Sequence, residues 1–250
     1  MSERDRLDRL LVTRGLAPSR ARAADAIRRG AVTVDGRVVT KPGAAVAADA
    51  AITIEDAAAG YVSRAALKLI AALDHFDIPV KDAVALDVGA STGGFTQVLL
   101  ERGAAQVFAV DVGGGQLADV LRDDRRVVAL EGVNARELSA EVIPQPVDVI
   151  TADVSFISLR KALPAALELA RPGAWLAALI KPQFEAGPEQ VGKGGIVRDE
   201  QVRERVCAEV AGWLEDRGWL VAGVIPSPIA GADGNVEYLI GALEARGTRP

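Results

Sequence analysis

The period of the apolar positions changes along the chain. Over residues 6–14 the leucines at 7, 10 and 11 share one helical face, and Gly15 closes that stretch. Ser19 opens a second helical stretch as its predicted N-cap. There Ala23, Ala24 and Ile27 take the inner positions, and Arg20, Arg22, Arg28 and Arg29 the wet ones. The period then drops to two. AVTVDGRVV (31–39) alternates about Asp35-Gly36, the signature of a two-residue hairpin. A short strand, AITIE (51–55), runs into the Ala/Gly-rich DAAAG, which predicts a boundary between units 1–59 and 60–250.

Beyond that boundary, helical and extended patterns alternate. Strands are predicted at 82–90, 105–112, 126–132, 147–156, 174–182, 219–229 and 236–243. Helices are predicted at 63–76, 93–103, 116–124, 158–170 (running across Pro164) and 199–218. Such alternation implies a doubly wound, mostly parallel α/β sheet of seven strands. The last two strands have no crossover helix between them, so the final strand is expected to run antiparallel. In the helix at 63–76, Leu67, Ile70 and Phe76 are expected to face the core, with Arg64 and Lys68 on a polar face.

Charge adds an asymmetry that the pattern does not show. The net charge is −5, yet residues 1–41 hold ten Lys/Arg against five Asp/Glu. A basic head on an acidic body suits contact with a polyanion. The N-terminus MSERDRLDRLL carries charges where a secretory signal would be apolar. The longest notable uncharged stretch, 219–232, is too short to span a bilayer and holds two prolines. A single cysteine, Cys207, excludes an internal disulfide and fits a reducing compartment, so a cytoplasmic location is expected. One histidine, His75, and no Cys/His cluster leave no transition-metal site to expect.

Candidate chemistry gathers at predicted strand ends. The first body strand ends in LDVGASTGGF (86–95), whose glycines at 89, 93 and 94 break the pyrophosphate fingerprint. Asp87 puts a carboxylate near that turn, which suits a cation. S-adenosylmethionine (SAM) carries both an ammonium and a sulfonium. Asp111, at the end of the next strand, is placed to accept from ribose hydroxyls. In LIKPQFE (179–185), Lys181 ends an apolar strand, where a charge is costly unless it is paired or used. In a parallel sheet, ligands meet the carboxyl ends of strands. Asp153 and Lys181 lie at such ends, and Glu237, at the start of an antiparallel last strand, falls on the same side. Lys68, on the preceding helix, completes a group of two lysines and two acids.

Competing chemistries lack their residues. Asp153-Val154-Ser155-Phe156 has no prolines of the kind used for exocyclic amines. Cys207, mid-helix beside Val206 and Val210, reads as packing rather than as the nucleophile of a pyrimidine C5 methyltransferase.

The head, RLDRLLVTRGLAPSRARAADAIRRGAVTVDGRVVTKP, closely resembles the alpha-L RNA-binding motif of a small-subunit ribosomal protein, pseudouridine synthases and tyrosyl-tRNA synthetases. That resemblance implies RNA contact at Arg6, Arg20, Arg22, Arg28 and Lys41, and Arg64 is assigned with them. The body resembles a class I SAM-dependent methyltransferase, and the order Lys68, Asp153, Lys181, Glu237 resembles the tetrad of FtsJ-like ribose 2′-O-methyltransferases. The assigned donor contacts are Asp87, Gly89, Ser91, Gly93, Gly94, Phe95, Asp111, Val112 and Asn134, with Asn134 where such enzymes hold the adenine. Phe95 reads equally as core. In a cleft, a lysine beside a second cation gives up its proton more readily. Lys181 is therefore the expected base and Lys68 the residue that orients the hydroxyl, with the exchanged roles open.

Head and body together resemble the TlyA family, on YVSRAALKL, ALDVGASTGGFT, DVSFISL, LIKPQFE, GKGGIVRD and GNVEY. The resemblance implies methyl transfer from SAM to a cytidine 2′-hydroxyl in ribosomal RNA, with ribosomal subunits as the partner, no membrane and no obligate protein partner. Two other readings stand beside it: a non-catalytic RNA-binding assembly factor and a haemolysin. Residues 192–199, glycine-rich beside the expected cleft, are predicted to form a mobile lid.

Overall fold

The structure is a computed structural model that describes residues 4–231 and 234–245. Contacts divide the chain into two compact units, Met1–Gly60 and Tyr61–Pro250.

In the first unit, β1 (Arg4–Arg6) leads into α1 (Leu7–Thr13), and α2 (Arg20–Arg28) follows. Gly15, in the left-handed region at φ +70°, ends the first helical turn run, and Ser19 Oγ accepts from the Arg22 amide at 3.3 Å as the N-cap of α2. The hairpin forms as expected. Asp35 and Gly36, both at positive φ, join β2 (Val32–Val34) to β3 (Arg37–Val38). β4 (Ala45–Ala47) pairs with β1, a contact the alternation did not predict, and β5 (Ile52–Ile54) pairs antiparallel with β2. Leu7, Leu10, Leu11, Ala23, Ala26, Ile27, Val32 and Val34 form the core. Ala23 is buried as expected, but Ala26 rather than Ala24 is buried with it. Arg29 is not wet either: it forks onto Asp56 at 2.7 and 2.8 Å and onto Asp25 at 3.0 Å.

The second unit contains α3 (Ala66–His75), β6 (Val84–Val88), α4 (Gly94–Glu101), β7 (Gln106–Asp111), α5 (Asp119–Arg122), β8 (Val127–Glu131), β9 (Val147–Ala152), α6 (Leu159–Ala162), α7 (Pro164–Leu167), β10 (Ala170–Ile180), α8 (Pro182–Glu185), α9 (Glu200–Glu215), β11 (Trp219–Pro226) and β12 (Tyr238–Glu244). Its sheet has the order β11-β12-β10-β9-β6-β7-β8. The pairs among β8, β7, β6, β9 and β10 are parallel, and β12 runs antiparallel to both its neighbours. Neighbouring strand residues face opposite sides. Val107, Val149, Ala177 and Leu239 pack with Leu69, Leu73 and Leu99 on one face. Phe108, Ile150, Leu176 and Ile240 pack with Leu163, Val206 and Val210 on the other.

Two helices differ from expectation. The stretch at 158–170 is split, because Pro164 has no N–H to continue α6 and instead starts α7. The helix expected from residue 63 begins at Ala66, so Arg64 precedes it. Its buried side is Ala66, Leu69, Ala72 and Leu73, with Phe76 at its C-cap, and Lys68 lies on that side rather than on a wet one.

Candidate methyl-transfer site

The turn after β6 is shaped by close backbone approaches. Gly89, at φ +85°, stands so near β9's continuation that a Cβ there would lie 2.7 Å from the Asp153 carbonyl oxygen. Gly94 likewise packs on residue 63: a Cβ would meet the Ser63 Cβ at 2.9 Å. Both glycines let segments that carry functional groups come together. Ser91 adopts φ +48°, and its amide donates to Asp111 Oδ2 at 2.8 Å, while the Gly113 amide donates to Asp111 Oδ1 at 2.8 Å. The carboxylate at the end of β7 thus ties the first turn to the second.

A cavity of about 590 Å³ opens above this turn, within the range usual for small-molecule sites. Gly89, Ser91, Asp111, Val112 and Asn134 line it. A smaller space of about 160 Å³ shares Gly89, Ser91, Asp153 and Ser155 with it and adds Gly94, Phe95 and Lys181. Two assigned donor contacts line neither. Gly93 is covered by Leu117 and Leu121, whose methyls would lie within 2.8 Å of a Cβ. Asp87 is fully buried and accepts from Thr96 Oγ1 at 2.7 Å and from its cross-strand partner Thr151 Oγ1 at 3.0 Å. Burial raises its carboxyl to about 6, against the two hydroxyls. Its role is inside the sheet, not at the cavity wall.

The four tetrad residues form two ion pairs. Lys68 Nζ donates to Glu237 Oε2 at 2.6 Å, with both side chains buried. Lys181 Nζ lies 2.6 Å from Asp153 Oδ1 and donates to Ser155 Oγ at 2.8 Å. The angle to Asp153 is not that of a hydrogen bond, so Ser155 takes the aligned proton and Asp153 supplies charge. Strand register brings the pairs to one rim. Ile180 pairs with Tyr238, so the next step along the antiparallel strands sets Lys181 opposite Glu237. Lys181 and Asp153 line the smaller cavity, and Lys68 and Glu237 are not among its lining residues.

Sequence reading missed several residues here. Ser155 was only context for Asp153. Phe156, at φ +63° and 91% exposed, lines the larger cavity with its ring 5.1 Å from that of Phe184. Glu131 accepts from the Leu117 and Gln116 amides, which with Arg122 hold its carboxyl down at about 2 and shape the 113–117 turn. Glu185, buried, accepts from the Leu159 amide at 2.6 Å and so anchors the loop that bears Ser155 and Phe156. Within 192–199, the expected lid, Gly192 bridges Ile196, and the buried Asn235 side chain accepts from the Val197 amide and donates to the Gly195 carbonyl.

Comparison with known proteins now bears on the geometry. The FtsJ-like methyltransferase model matches residues 61–243, and the S4 domain model matches residues 5–52. A Mycobacterium tuberculosis 16S/23S rRNA (cytidine-2′-O)-methyltransferase, TlyA, is 51% identical over 96% of this chain and 90% of its own. The chain belongs to the TlyA family. It is a SAM-dependent methyltransferase with an S4-type RNA-binding unit at its N-terminus. Other TlyA relatives carry a different name. Hemolysin A of Brachyspira hyodysenteriae is 42% identical over 94% of this chain and 98% of its own. A Streptococcus thermophilus structure described as a hemolysin superposes with a TM-score of 0.76 at 38% identity, covering 98% of this chain and 90% of that one. Among the described residues no helix is long and apolar enough to cross a membrane.

The cavity fits the methyl donor that this family uses. Its volume is adequate for such a molecule, and the Asp111 carboxylate, at the end of β7, lines it.

Proposed function

We propose that this protein methylates the ribose 2′-hydroxyl of a cytidine in ribosomal RNA, as the name of its M. tuberculosis relative states for that protein. The observation that carries the reading is the pair of lysine–carboxylate contacts at one rim of the sheet, beside the cavity. Bound SAM supplies a methyl group on a sulfonium, already a strong electrophile. Gly89, Ser91, Asp111, Val112 and Asn134 would hold it. What remains for the chain is to align a weak nucleophile and receive one proton. Lys181 Nζ, fixed by Ser155 and Asp153 at the cavity wall, first gives one proton to solvent and then, as the neutral amine, receives the 2′-hydroxyl proton as the oxygen takes the methyl group. Lys68, held by Glu237, takes the role of orienting the hydroxyl. Phe156 offers an exposed ring on which a nucleobase stacks. The partner is ribosomal RNA in the cytoplasm, and Arg6, Arg20, Arg28 and Lys41 stand exposed for its phosphates. Arg22 is partly spent, since its Nη2 donates to the Ala58 carbonyl.

The test is transfer of radiolabelled methyl groups to purified, unmethylated ribosomal subunits, followed by mapping of ribose methylation. Incorporation at a cytidine 2′-oxygen is expected. Incorporation at a base, or none on either subunit, would sink the reading.

A further inference from the structure

The first unit contains a buried acid that its RNA-binding role leaves unexplained. Asp8 sits in the first turn of α1 with its side chain 6% exposed. Two arginines from different elements close on it. Arg6, the residue before α1, forks onto it with Nε to Oδ1 at 3.0 Å and Nη2 to Oδ2 at 2.8 Å. Arg20, the first residue of α2, adds Nη2 to Oδ2 at 3.1 Å. Their own side chains stay 55% and 59% exposed. The Arg6 guanidinium also lies against Gly43, where a Cβ would come within 3.3 Å of Nη1. An arginine has five N–H donors, so most of those on Arg6 and Arg20 are not spent on Asp8.

We propose that Asp8 is a positioning residue that presents Arg6 and Arg20 as one preset clamp for a phosphodiester of folded RNA. The inference rests on the reading of this unit as RNA-binding. Its physical reason is preorganisation. A free surface arginine loses rotamer freedom when it grips a phosphate, and one already fixed has met that cost on folding. Planar guanidiniums held at a set spacing also match phosphate oxygens bidentately, which favours a fixed backbone geometry over a flexible strand. The arginines in turn hold the Asp8 carboxyl well below the usual range, Arg6 most strongly, so the anchor stays charged.

Charge and position make opposite predictions, which lets experiment separate them. Asp8→Asn removes a negative charge from a basic surface. If Asp8 merely offset charge, RNA would bind more tightly. If it positions, binding of folded RNA weakens despite the added charge. The measurement is fluorescence anisotropy with the full chain, using a labelled ribosomal-RNA hairpin and, in parallel, single-stranded poly(U). Circular dichroism verifies that each variant is folded at the assay temperature. D8N is expected to lose roughly five- to tenfold in affinity for the hairpin, while poly(U) binding holds or tightens. In an Arg6→Ala/Arg20→Ala background, D8N is expected to cost nothing further. Unchanged or tighter hairpin binding by D8N overturns the proposal and leaves a counter-charge. An equal loss in the double-alanine background overturns it in favour of a structural role. If the double-alanine protein itself binds like the wild type, the assignment of RNA contact to these arginines fails, and the clamp with it.

Discussion

Lys181 shows how a residue in a costly place is used. Its ammonium ends an apolar strand and is stabilised by one carboxylate and one hydroxyl, both delivered by the loop after β9. Lys181→Ala is expected to lower kcat by at least about a hundredfold while SAM affinity, read by calorimetry, stays within about threefold. Ser155→Ala removes the one aligned acceptor. It is expected to cost about tenfold in kcat with KM for SAM unchanged, and steady-state kinetics decide it. Asp87 offers a pH test. Its folded carboxyl is raised to about 6, above an unfolded value near 3.8. Between those values the native state keeps a proton that the unfolded chain has released, so the Asp87 contribution to stability falls as pH rises from about 4 to about 6 and is level above. Asparagine does not titrate. Thermal melts of wild type against Asp87→Asn are therefore expected to show the wild type losing ground across that window, by up to roughly 3 kcal/mol.

At the scale of elements, the site depends on where backbones touch. β6 and β9 are parallel neighbours, and their ends converge because Gly89 carries no side chain. Gly89→Ala forces an alanine into φ +85° and against the Asp153 carbonyl. A loss of about 2 kcal/mol or more is expected in denaturant unfolding, and methyl transfer is expected to drop with it, because Asp153 must shift. Element types were legible in the sequence wherever the period was sustained: all seven body strands and the long helix over 200–215 lie where the pattern puts them. Ends were less so. Pro164 cut a helix that the apolar spacing would continue, and the first body helix began three residues late. For the segment 192–199, glycine content could not reveal Asn235, a distant side chain that bonds to it at Gly195 and Val197.

At the scale of the whole molecule, two compact units divide the work, one basic and one carrying the cavity. Binding of ribosomal RNA is expected to be strongly salt-dependent. If about five phosphates are contacted by the arginines and lysine of the head, the slope of log Kobs against log salt lies near −4, and titrations at several salt concentrations check it. A slope near zero would remove the head from RNA contact.

Taken by itself, the sequence determined the order and type of the elements, the seven-strand α/β body, the basic head and the residue types of the tetrad. These depend on periodicity, turn chemistry and local charge, all of which are written along the chain. Tertiary structure alone decided the pairings. Lys68 looked solvent-facing until the sheet buried it against Glu237, 169 residues away. Asp87 looked like a cavity wall until Thr96 and Thr151 enclosed it, and Asp8, which no local pattern singled out, gained its partner Arg20 only when α1 and α2 met. Which side chains share a partner depends on contacts between segments distant in sequence, and no local pattern carries that information.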